Sequence, residues 1–338
     1  MQKPTGPAPA IRCGIVLAGG NGARIKDFVS QLRGSDLPKQ YVNFIGRRSM
    51  LEHTLHRAEK LIPAQKLFLV IAKQHLQFDE VRRQIASRPR QCVVIQPENR
   101  DTGPGLLLPL LYLYKQYPEA AVVVFPSDHF ILEEDVFMQH IEYGFRVVES
   151  NGSRIVLLGI EPDEPDPEYG YVVPEEKVED TGGHNCSSVE LFVEKPSAAA
   201  AKKIIEKGAL VNTLVLVVRC NTLLQTIKHT APALYRSFEP IQDAIGTEDE
   251  QRVTERVYQN LPSLNFSRRV LEVLSYEGRQ NLRVLRVRGV TWSDWGTSGR
   301  LSNTLRKLRK SVPLPIAQPD TPQRTLFAPQ KRFAATIR

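Results

Sequence analysis

The chain contains few cysteines, no long apolar run and no apolar leader. The four cysteines are Cys13, Cys92, Cys186 and Cys220. They lie far apart and form no C-x-x-C pair, so neither a disulfide framework nor a zinc site is indicated. No apolar run approaches the roughly 20 residues of a membrane-spanning helix, and the proline-rich residues 1–10 have no apolar core. We therefore expect free buried thiols, no membrane partner and a cytoplasmic protein.

Acidic residues are scarce at the C-terminal end, and this scarcity accounts for the net charge of +8. From residue 300 onward the chain has nine lysines or arginines and one acid, Asp320. A basic helix at 305–310 could contact nucleic acid, but a solvated helix face explains the same charge, and neither interleaved aromatic residues nor a known binding module accompanies it. We expect 311–338 to form a basic, proline-rich tail, and nucleic acid is the least favoured partner.

The length and composition allow one large domain or two. At 338 residues, with 41% apolar and 24% charged residues, the chain can bury a substantial core. No Gly/Ser-rich linker divides it. We therefore expect a flexible N-terminus at 1–10, followed by one continuous domain over 11–310.

Short β-rich runs alternate with helical patterns in the first half of the chain. The predicted strands are 14–18, 66–72, 92–95 and 121–125. A capping box, Ser49 with Glu52, predicts the start of a helix between the first two strands. This alternation is typical of an α/β fold with a Rossmann-like, mainly parallel sheet flanked by helices. Ligands of such sheets bind at the carboxyl ends of the strands.

The stretch at 17–24, Leu-Ala-Gly-Gly-Asn-Gly-Ala-Arg, directly follows the first predicted strand. Glycines without a Cβ let an anion approach the backbone N–H groups, and Arg24 adds a positive charge whose planar fork suits phosphate. The stretch lacks the Gly-Lys-Ser/Thr of a P-loop and fits the dinucleotide fingerprint poorly. By itself, it predicts either a phosphate cradle or only a tight turn.

Two further polar loops follow predicted strands, at 96–105 and 126–129. The second loop contains Asp128. A carboxylate at the end of a buried strand is costly unless it binds a cation or is well hydrogen-bonded. Asp128 is therefore a candidate magnesium ligand. The alternative is that Asp128 caps the helix that follows.

Seven motifs, in order from about residue 12 to 305, carry a family resemblance. They are LAGGNGAR (17–24), LPKQY (37–41), QPENRDTGPG (96–105), FPSDHF (125–130), GIEPDEPDPEYGYV (159–172), FVEKP (192–196) and TWSDWG (291–296). This set resembles the sugar-phosphate nucleotidyltransferases and is most similar to their bacterial mannose-1-phosphate guanylyltransferase branch. The resemblance implies the nucleotide-diphospho-sugar transferase fold, with a nucleotide-binding half at 11–150, a smaller sugar-phosphate half at 151–310 and a helical C-terminal segment.

The resemblance also implies a reaction. An oxygen of a sugar 1-phosphate attacks the α-phosphorus of a nucleoside triphosphate, and an NDP-sugar and pyrophosphate form. Because the nucleophile is already an anion, such a reaction needs charge neutralisation and alignment more than covalent help. The implied substrates are GTP and mannose 1-phosphate, and the implied cofactor is Mg²⁺. Another nucleoside triphosphate or hexose phosphate would preserve every motif.

The roles of individual residues are likewise implied by the resemblance. The implied catalytic residues are Arg24, Lys39, Asp128 and Lys195. The implied nucleotide-binding residues are Leu17, Ala18, Gly19, Gly20, Asn21, Gly22, Gln96, Arg100 and Thr102. The implied sugar-phosphate-binding residues are Gly170, Tyr171, Glu194, Lys195 and Asn212. The implied metal ligands are Asp128 and Asp294. Without the resemblance, Lys39 would be a surface charge and Asp294 a turn acid.

Several positions depart from the family pattern. Ala23 replaces a threonine, Leu214 replaces a glycine after Asn212, and Ser267 stands where the family carries an aspartate. A missing carboxylate keeps open a second hypothesis, a regulatory homologue that binds nucleotide or nucleotide sugar without turnover. Too few residues follow Leu301 for the β-helix or cupin domain of some relatives, so we expect a stand-alone transferase. A homodimer is left open.

Overall fold

Strands and helices alternate over residues 11–180, 185–278 and 281–311, which are the parts of the chain that the computed structural model describes. The strands are β1 (Arg12–Ala18), β2 (Leu67–Ala72), β3 (Val93–Gln96), β4 (Ala121–Pro126), β5 (Phe130–Ile131), β6 (Ile155–Ile160), β7 (Gly170–Asp180), β8 (Asn185–Glu194), β9 (Leu210–Arg219), β10 (Leu282–Val287) and β11 (Trp292–Ser293). The helices are α1 (Lys26–Arg33), α2 (Met50–Ala58), α3 (Asp79–Ile85), α4 (Thr102–Gln116), α5 (Glu134–Ser150), α6 (Ala198–Ile205), α7 (Cys220–Thr230), α8 (Pro232–Ala244), α9 (Glu250–Gln259), α10 (Val273–Tyr276) and α11 (Ser298–Ser311). The predicted flexible N-terminus and the tail beyond 311 lie outside the described residues.

One nine-stranded sheet contains strands from both halves of the chain, in the order β3-β2-β1-β4-β9-β6-β10-β8-β7. β1 is parallel to β2 and β4, and β2 is parallel to β3. β9 runs antiparallel between β4 and β6, so β6 and its parallel neighbour β10 point the same way as β1–β4. The carboxyl ends of these six strands therefore lie along one edge, which confirms the predicted mainly parallel arrangement.

The central strands are apolar on both faces because helices cover both faces. Ile15 of β1 packs into a core that includes Leu107 of α4, whereas its neighbour Val16 packs into a core with Leu55 of α2 and Ile141 of α5. All residues of β2 and β4 are buried. Strands buried on both faces read as continuous apolar runs, which is why the alternation could be predicted from the sequence.

The second half of the sheet brings the sugar-side motifs to the same edge. β7 and β8 form an antiparallel pair in which Gly170 lies opposite Glu194. The start of β7 also pairs with the start of β9, with Tyr171 opposite Val211. A separate two-stranded pair joins β11 to β5, with Trp292 opposite Ile131. This short pair ties the chain near residue 294 to the turn after β4.

The cysteines agree with a further expectation. All four cysteines are buried thiols, as predicted. Within the described ranges, none of the helices has the length and apolar character needed to cross a membrane.

The predicted capping box at the start of α2 gives a test of local stability. Ser49 Oγ accepts a hydrogen bond from Glu52 N at 3.1 Å, and Glu52 Oε2 accepts one from Ser49 N at 2.7 Å. Because Ser49→Ala leaves an N-terminal amide of the helix unpaired, we expect the free energy of unfolding to fall by about 1 kcal/mol in urea denaturation. Ser87→Ala, at an exposed position, should change it by less than about 0.5 kcal/mol. Equal effects would contradict the role of the cap.

Candidate active site

The glycine stretch after β1 forms a rigid loop because the neighbouring motif holds it from behind. Gly22 adopts a left-handed φ of +61°, and a Cβ built there would lie 3.0 Å from Lys39 Cβ and 3.1 Å from Lys39 N. Gln40 Nε2 donates to the carbonyl oxygens of Ala18 and Gly20, both at 2.8 Å. In the described part of the chain, the N–H groups of residues 20–22 have no protein acceptor. The carbonyls are thus held by protein and the amides are left for an anion.

A buried histidine supports the side chain of Asn21. Asn21 Oδ1 lies 2.6 Å from Gln74 Nε2, which donates to it, and 3.3 Å from His75 Nε2. His75 Nδ1 lies 3.1 Å from the Tyr41 hydroxyl. Burial lowers the pKa of His75 to about 4, so its ring is neutral at pH 7. A neutral ring in this position accepts from Tyr41 at Nδ1 and donates to Asn21 from Nε2.

Lys39 is the central cation of the site. It is only 4% exposed, so it is not a surface charge. Its Nζ donates to Asp128 Oδ2 at 3.0 Å and to the backbone carbonyl of Asp294. Burial alone would raise the pKa of Asp128, but the positive charge of Lys39, with a smaller contribution from His129, leaves it below its ordinary value. Asp128 does not cap α5, whose N-cap is Glu133, so the capping alternative is wrong.

The carboxylate of Asp294 is held by several donors. Arg300 Nη1 donates to both oxygens, at 2.8 and 3.0 Å, and the Tyr169 hydroxyl donates to Oδ1 at 3.2 Å. Gly296 N also donates to Oδ1, at 3.0 Å, so Asp294 closes a turn as well. Arg24 Nη2 lies 3.5 Å from Oδ2. Burial would raise the pKa of Asp294, but Arg300 foremost among nearby cations keeps it below its ordinary value.

The predicted sugar-side residues line the same edge of the sheet. Glu168 Oε2 lies 3.2 Å from Arg24 Nη1 and 3.7 Å from Lys195 Nζ, so it joins two predicted catalytic cations. A Cβ on Gly170 would lie 2.6 Å from Glu194 Oε2, which means that the glycine makes room for this carboxylate. Burial raises the pKa of Glu194.

Two other predicted sugar-side residues have structural partners. The Tyr171 hydroxyl lies 2.9 Å from the backbone N of Asp166 and 3.0 Å from its O, so it fixes the loop after β6. Asn212 Oδ1 accepts from the backbone N of Leu214 at 3.1 Å. Leu214 adopts a left-handed φ of +58°, which explains why a glycine would suit that position.

The predicted nucleotide-side residues connect the cradle to the loop after β3. Gln96 Nε2 donates to the carbonyl of Gly19 at 3.2 Å, while its buried Oε1 has no partner among the described residues. Arg100 pairs with Glu98 at 2.7 Å. Leu17 O accepts from Ser127 N at 3.2 Å, which ties the ends of β1 and β4 together.

Ser267 is buried at the start of a π-helical segment, Ser267–Glu272. The residue before it, Phe266, donates from its backbone N to Thr102 Oγ1 at 2.9 Å. At the other end of the segment, Glu272 Oε1 lies 3.4 Å from the backbone N of Glu194. The segment therefore joins the two halves of the site, and its acid is Glu272 instead of an aspartate at 267.

The side chains of this site that were not predicted from the sequence include Gln40, His75, Asp166, Glu168, Tyr169 and Arg300. Gln40, Asp166, Glu168 and Tyr169 lie inside motifs that carry the family resemblance, and the other residues of those motifs were the signal for them. His75 follows β2, and its position at the carboxyl end of a parallel strand was the only signal for it. Arg300 lies in the basic C-terminal end of the chain, and its partner Asp166 is 134 residues away, so this pairing could not be deduced from the local sequence.

The carboxylates of Asp128 and Asp294 fit a metal ion that is also bound by substrate oxygens. Within the described ranges, no three histidine, cysteine, aspartate or glutamate side chains come together as a metal site. Asp128 is 36% exposed at its side chain, whereas Asp294 is 12% exposed. Mg²⁺ commonly takes one or two carboxylates and completes its shell with water and phosphate oxygens. Asp128 and Asp294 suit such an ion better than a site made of protein ligands alone.

Comparison with known proteins gives a consistent picture. Residues 13–311 match the family model described as nucleotidyl transferase. Mannose-1-phosphate guanylyltransferase of Escherichia coli is 23% identical over 286 residues, which cover 83% of this chain and 59% of that protein. Xanthan biosynthesis protein XanB of Xanthomonas campestris pv. campestris is 26% identical over 221 residues, covering 65% of this chain and 44% of XanB. The chain spans about half the length of the curated relatives it matches.

Solved structures share the fold. A crystal structure described as mannose-1-phosphate geranyltransferase from Thermus thermophilus matches with a TM-score of 0.70 and 27% identity, over 84% of this chain and 76% of that one. UDP-glucose pyrophosphorylase of Acinetobacter baumanii matches with a TM-score of 0.54 and 14% identity, over 90% and 95% of the two chains. The predicted nucleotide-diphospho-sugar transferase fold is thereby confirmed.

The neutral state of His75 predicts a pH dependence of stability. The pKa of His75 is about 4 in the folded protein, below the unfolded value, so the unfolded chain takes up the proton first. The contribution of neutral His75 to the free energy of unfolding is complete above about pH 6.5. It is lost as the pH falls towards 4, and the loss amounts to at most about 3 kcal/mol. Urea denaturation across this pH range should show that the free energy of unfolding falls less for His75→Gln than for the wild type. The exposed His56→Gln should keep the wild-type dependence, and a His75→Gln curve that falls as steeply as wild type would contradict this account.

Proposed function

The chain belongs to the nucleotidyl transferase family, and from that premise we propose that it joins a nucleoside triphosphate to a sugar 1-phosphate and releases pyrophosphate. The observation that carries this proposal is the position of Lys39. Its ammonium group lies between Asp128 and the main chain of Asp294, while its backbone packs against Gly22 of the cradle. A cation fixed next to a phosphate cradle and two carboxylates suits transfer to a phosphorus atom.

The chain's own groups can bind and align both substrates. The amides of residues 20–22 would bind the triphosphate, and Arg24 would contact its outer oxygens. Lys39 would neutralise charge on the phosphate that is attacked, and its two fixed acceptors hold it there without reorganisation. Lys195 would bind the phosphate of the sugar, while Glu194 would accept hydrogen bonds from sugar hydroxyls.

We further propose Mg²⁺ as the cofactor, held by Asp128 and Asp294. When bound, the ion would offset the negative charge of the triphosphate. Lys39 would keep Asp128 ionised, because its charge favours the carboxylate form. Tyr169 and Gly296, which both donate to Asp294 Oδ1, would fix the orientation of that carboxylate.

The proposed substrates are GTP and mannose 1-phosphate. Relatives named mannose-1-phosphate guanylyltransferase support this choice, although each is only about a quarter identical. The predicted cytoplasmic location and homodimer stay predictions.

Ser267 favours a second candidate function. A buried serine stands where the family resemblance implies an aspartate, and the carboxylate of Asp294 is already occupied by Arg300. A homologue with these features would bind GTP or GDP-mannose and regulate a partner without turnover. Turnover separates the two functions directly.

The test is pyrophosphate release by the full chain with Mg²⁺, across a matrix of nucleoside triphosphates and hexose 1-phosphates. We expect release from GTP with mannose 1-phosphate, and a loss of at least about 100-fold in Asp128→Asn, because the ionised carboxylate is removed. Release with another pair of substrates would support the proposed reaction and contradict the proposed substrates. No release, with GTP or GDP-mannose still bound in calorimetry, would refute the transferase proposal in favour of the binding homologue.

A second prediction concerns Lys39. Lys39→Met keeps the length of the side chain and removes its charge, so we expect kcat to fall at least about 100-fold. Lys60→Met, at a partly exposed surface pair, should keep nearly wild-type kcat. Thermal unfolding of both variants controls for folding. A folded Lys39→Met enzyme with more than a third of the wild-type kcat would contradict the assigned role.

A further inference from the structure

Arg300, in the first turn of α11, bridges two carboxylates that come from different loops. Its Nη1 donates to both oxygens of Asp294, and its Nε donates to Asp166 Oδ2 at 3.1 Å. Nη2 donates to the same oxygen of Asp166. The guanidinium carbon lies 4.2 Å from the centre of the Tyr169 ring. Arg300 is thus fixed by two acids and one aromatic face.

These contacts leave little room for a metal at Asp294. Oδ1 already accepts from Arg300, Tyr169 and Gly296, and Oδ2 accepts from Arg300 and lies 3.5 Å from Arg24 Nη2. A carboxylate offers about four lone-pair sites. A divalent cation would therefore have to displace a donor and would sit beside two guanidinium groups.

We propose that Arg300 is a positioning residue that competes with the divalent cation for Asp294. The inference rests on the proposed function, because it takes Asp294 as a metal ligand. The negative charge of an incoming triphosphate offsets the repulsion between the metal and the two arginines. Metal and nucleotide then bind together, and the metal binds weakly to the chain without nucleotide.

Asp166 allows Arg300 to release Asp294 when the metal binds and to return to it when the metal dissociates. When Asp294 turns to the metal, Arg300 keeps its bonds to Asp166 and is not left as an unpaired, partly buried charge. If Asp166 loses its charge, Asp294 becomes the remaining carboxylate that Arg300 contacts. The two acids are therefore alternative partners for one guanidinium group.

The proposal predicts opposite effects for two substitutions. Arg300→Gln removes the competing charge, so the metal should bind more tightly to the nucleotide-free chain. Asp166→Asn strengthens the hold of Arg300 on Asp294 and makes the site more positive, so the metal should bind more weakly. Asparagine can still accept the hydrogen bond from the backbone N of Glu168, which Asp166 Oδ1 accepts at 2.9 Å. A merely structural cluster would be damaged by both changes in the same direction.

The experiment titrates Mn²⁺ into the nucleotide-free full chain and follows free Mn²⁺ by electron paramagnetic resonance. We expect about tenfold tighter binding in Arg300→Gln and at least about threefold weaker binding in Asp166→Asn. Arg306→Gln is the matched control, since it lies on the same helix and bonds to Asn303 instead of Asp294. It should bind Mn²⁺ within about twofold of wild type.

Thermal unfolding shows whether each variant is folded. If Arg300→Gln does not fold, Arg300→Lys keeps the charge but loses the two-oxygen geometry, and it should bind Mn²⁺ more tightly than wild type by a smaller factor. Unchanged affinities, or a shift of Arg300→Gln and Asp166→Asn in the same direction, would overturn the inference. Pyrophosphate release by the same wild-type sample separates the two claims. Turnover with unchanged affinities, or with no Mn²⁺ binding to any nucleotide-free variant, refutes only the role of Arg300. No turnover refutes the proposed function on which the inference rests.

Discussion

The ion pair between Lys39 and Asp128 is the interaction on which the rest of the site depends. Lys39 is almost fully buried, and it bonds to the turn after β4 and to the main chain after β11. Its own backbone packs against Gly22 of the cradle so closely that a Cβ there would have to displace it. One cation thereby fixes three segments, from the beginning, middle and end of the chain, relative to one another. Removing it would leave Asp128 without its nearest cation in a partly buried position.

Around this pair, cations and carboxylates alternate. Arg24 and Lys195 share Glu168, and Arg300 lies between Asp166 and Asp294. The free site is thus largely neutralised by its own residues, and it would bind a triphosphate and a sugar phosphate by exchanging these partners. Substrate binding would then rearrange existing ion pairs. Such a rearrangement costs less free energy than leaving buried charges without a partner.

The sequence predicted the features that depend on local pattern. Strands buried on both faces produced recognisable apolar runs, Ser49 and Glu52 marked a helix start, and the glycines marked the cradle. Features that depend on contacts between residues far apart in the chain could not be predicted in this way. Arg300 bonds to Asp166, 134 residues away, as well as to the nearby Asp294, and His75 bonds to Asn21, 54 residues away. Neither role could therefore be deduced from the local sequence. The leucine at 214 gives by itself no signal for its left-handed φ, and the glycine of the family pattern was the sign of such a backbone.

The central claim is that a sugar-phosphate oxygen attacks the α-phosphorus of the nucleotide. Mannose 1-phosphate that carries ¹⁸O in its non-bridging phosphate oxygens tests this claim most directly, with products examined by ³¹P NMR. The account predicts that GDP-mannose retains all of the label, with one ¹⁸O in the bridge between its two phosphorus atoms, and that pyrophosphate carries none. Label in pyrophosphate, or labelled mannose 1-phosphate recovered without any nucleotide sugar, would contradict it.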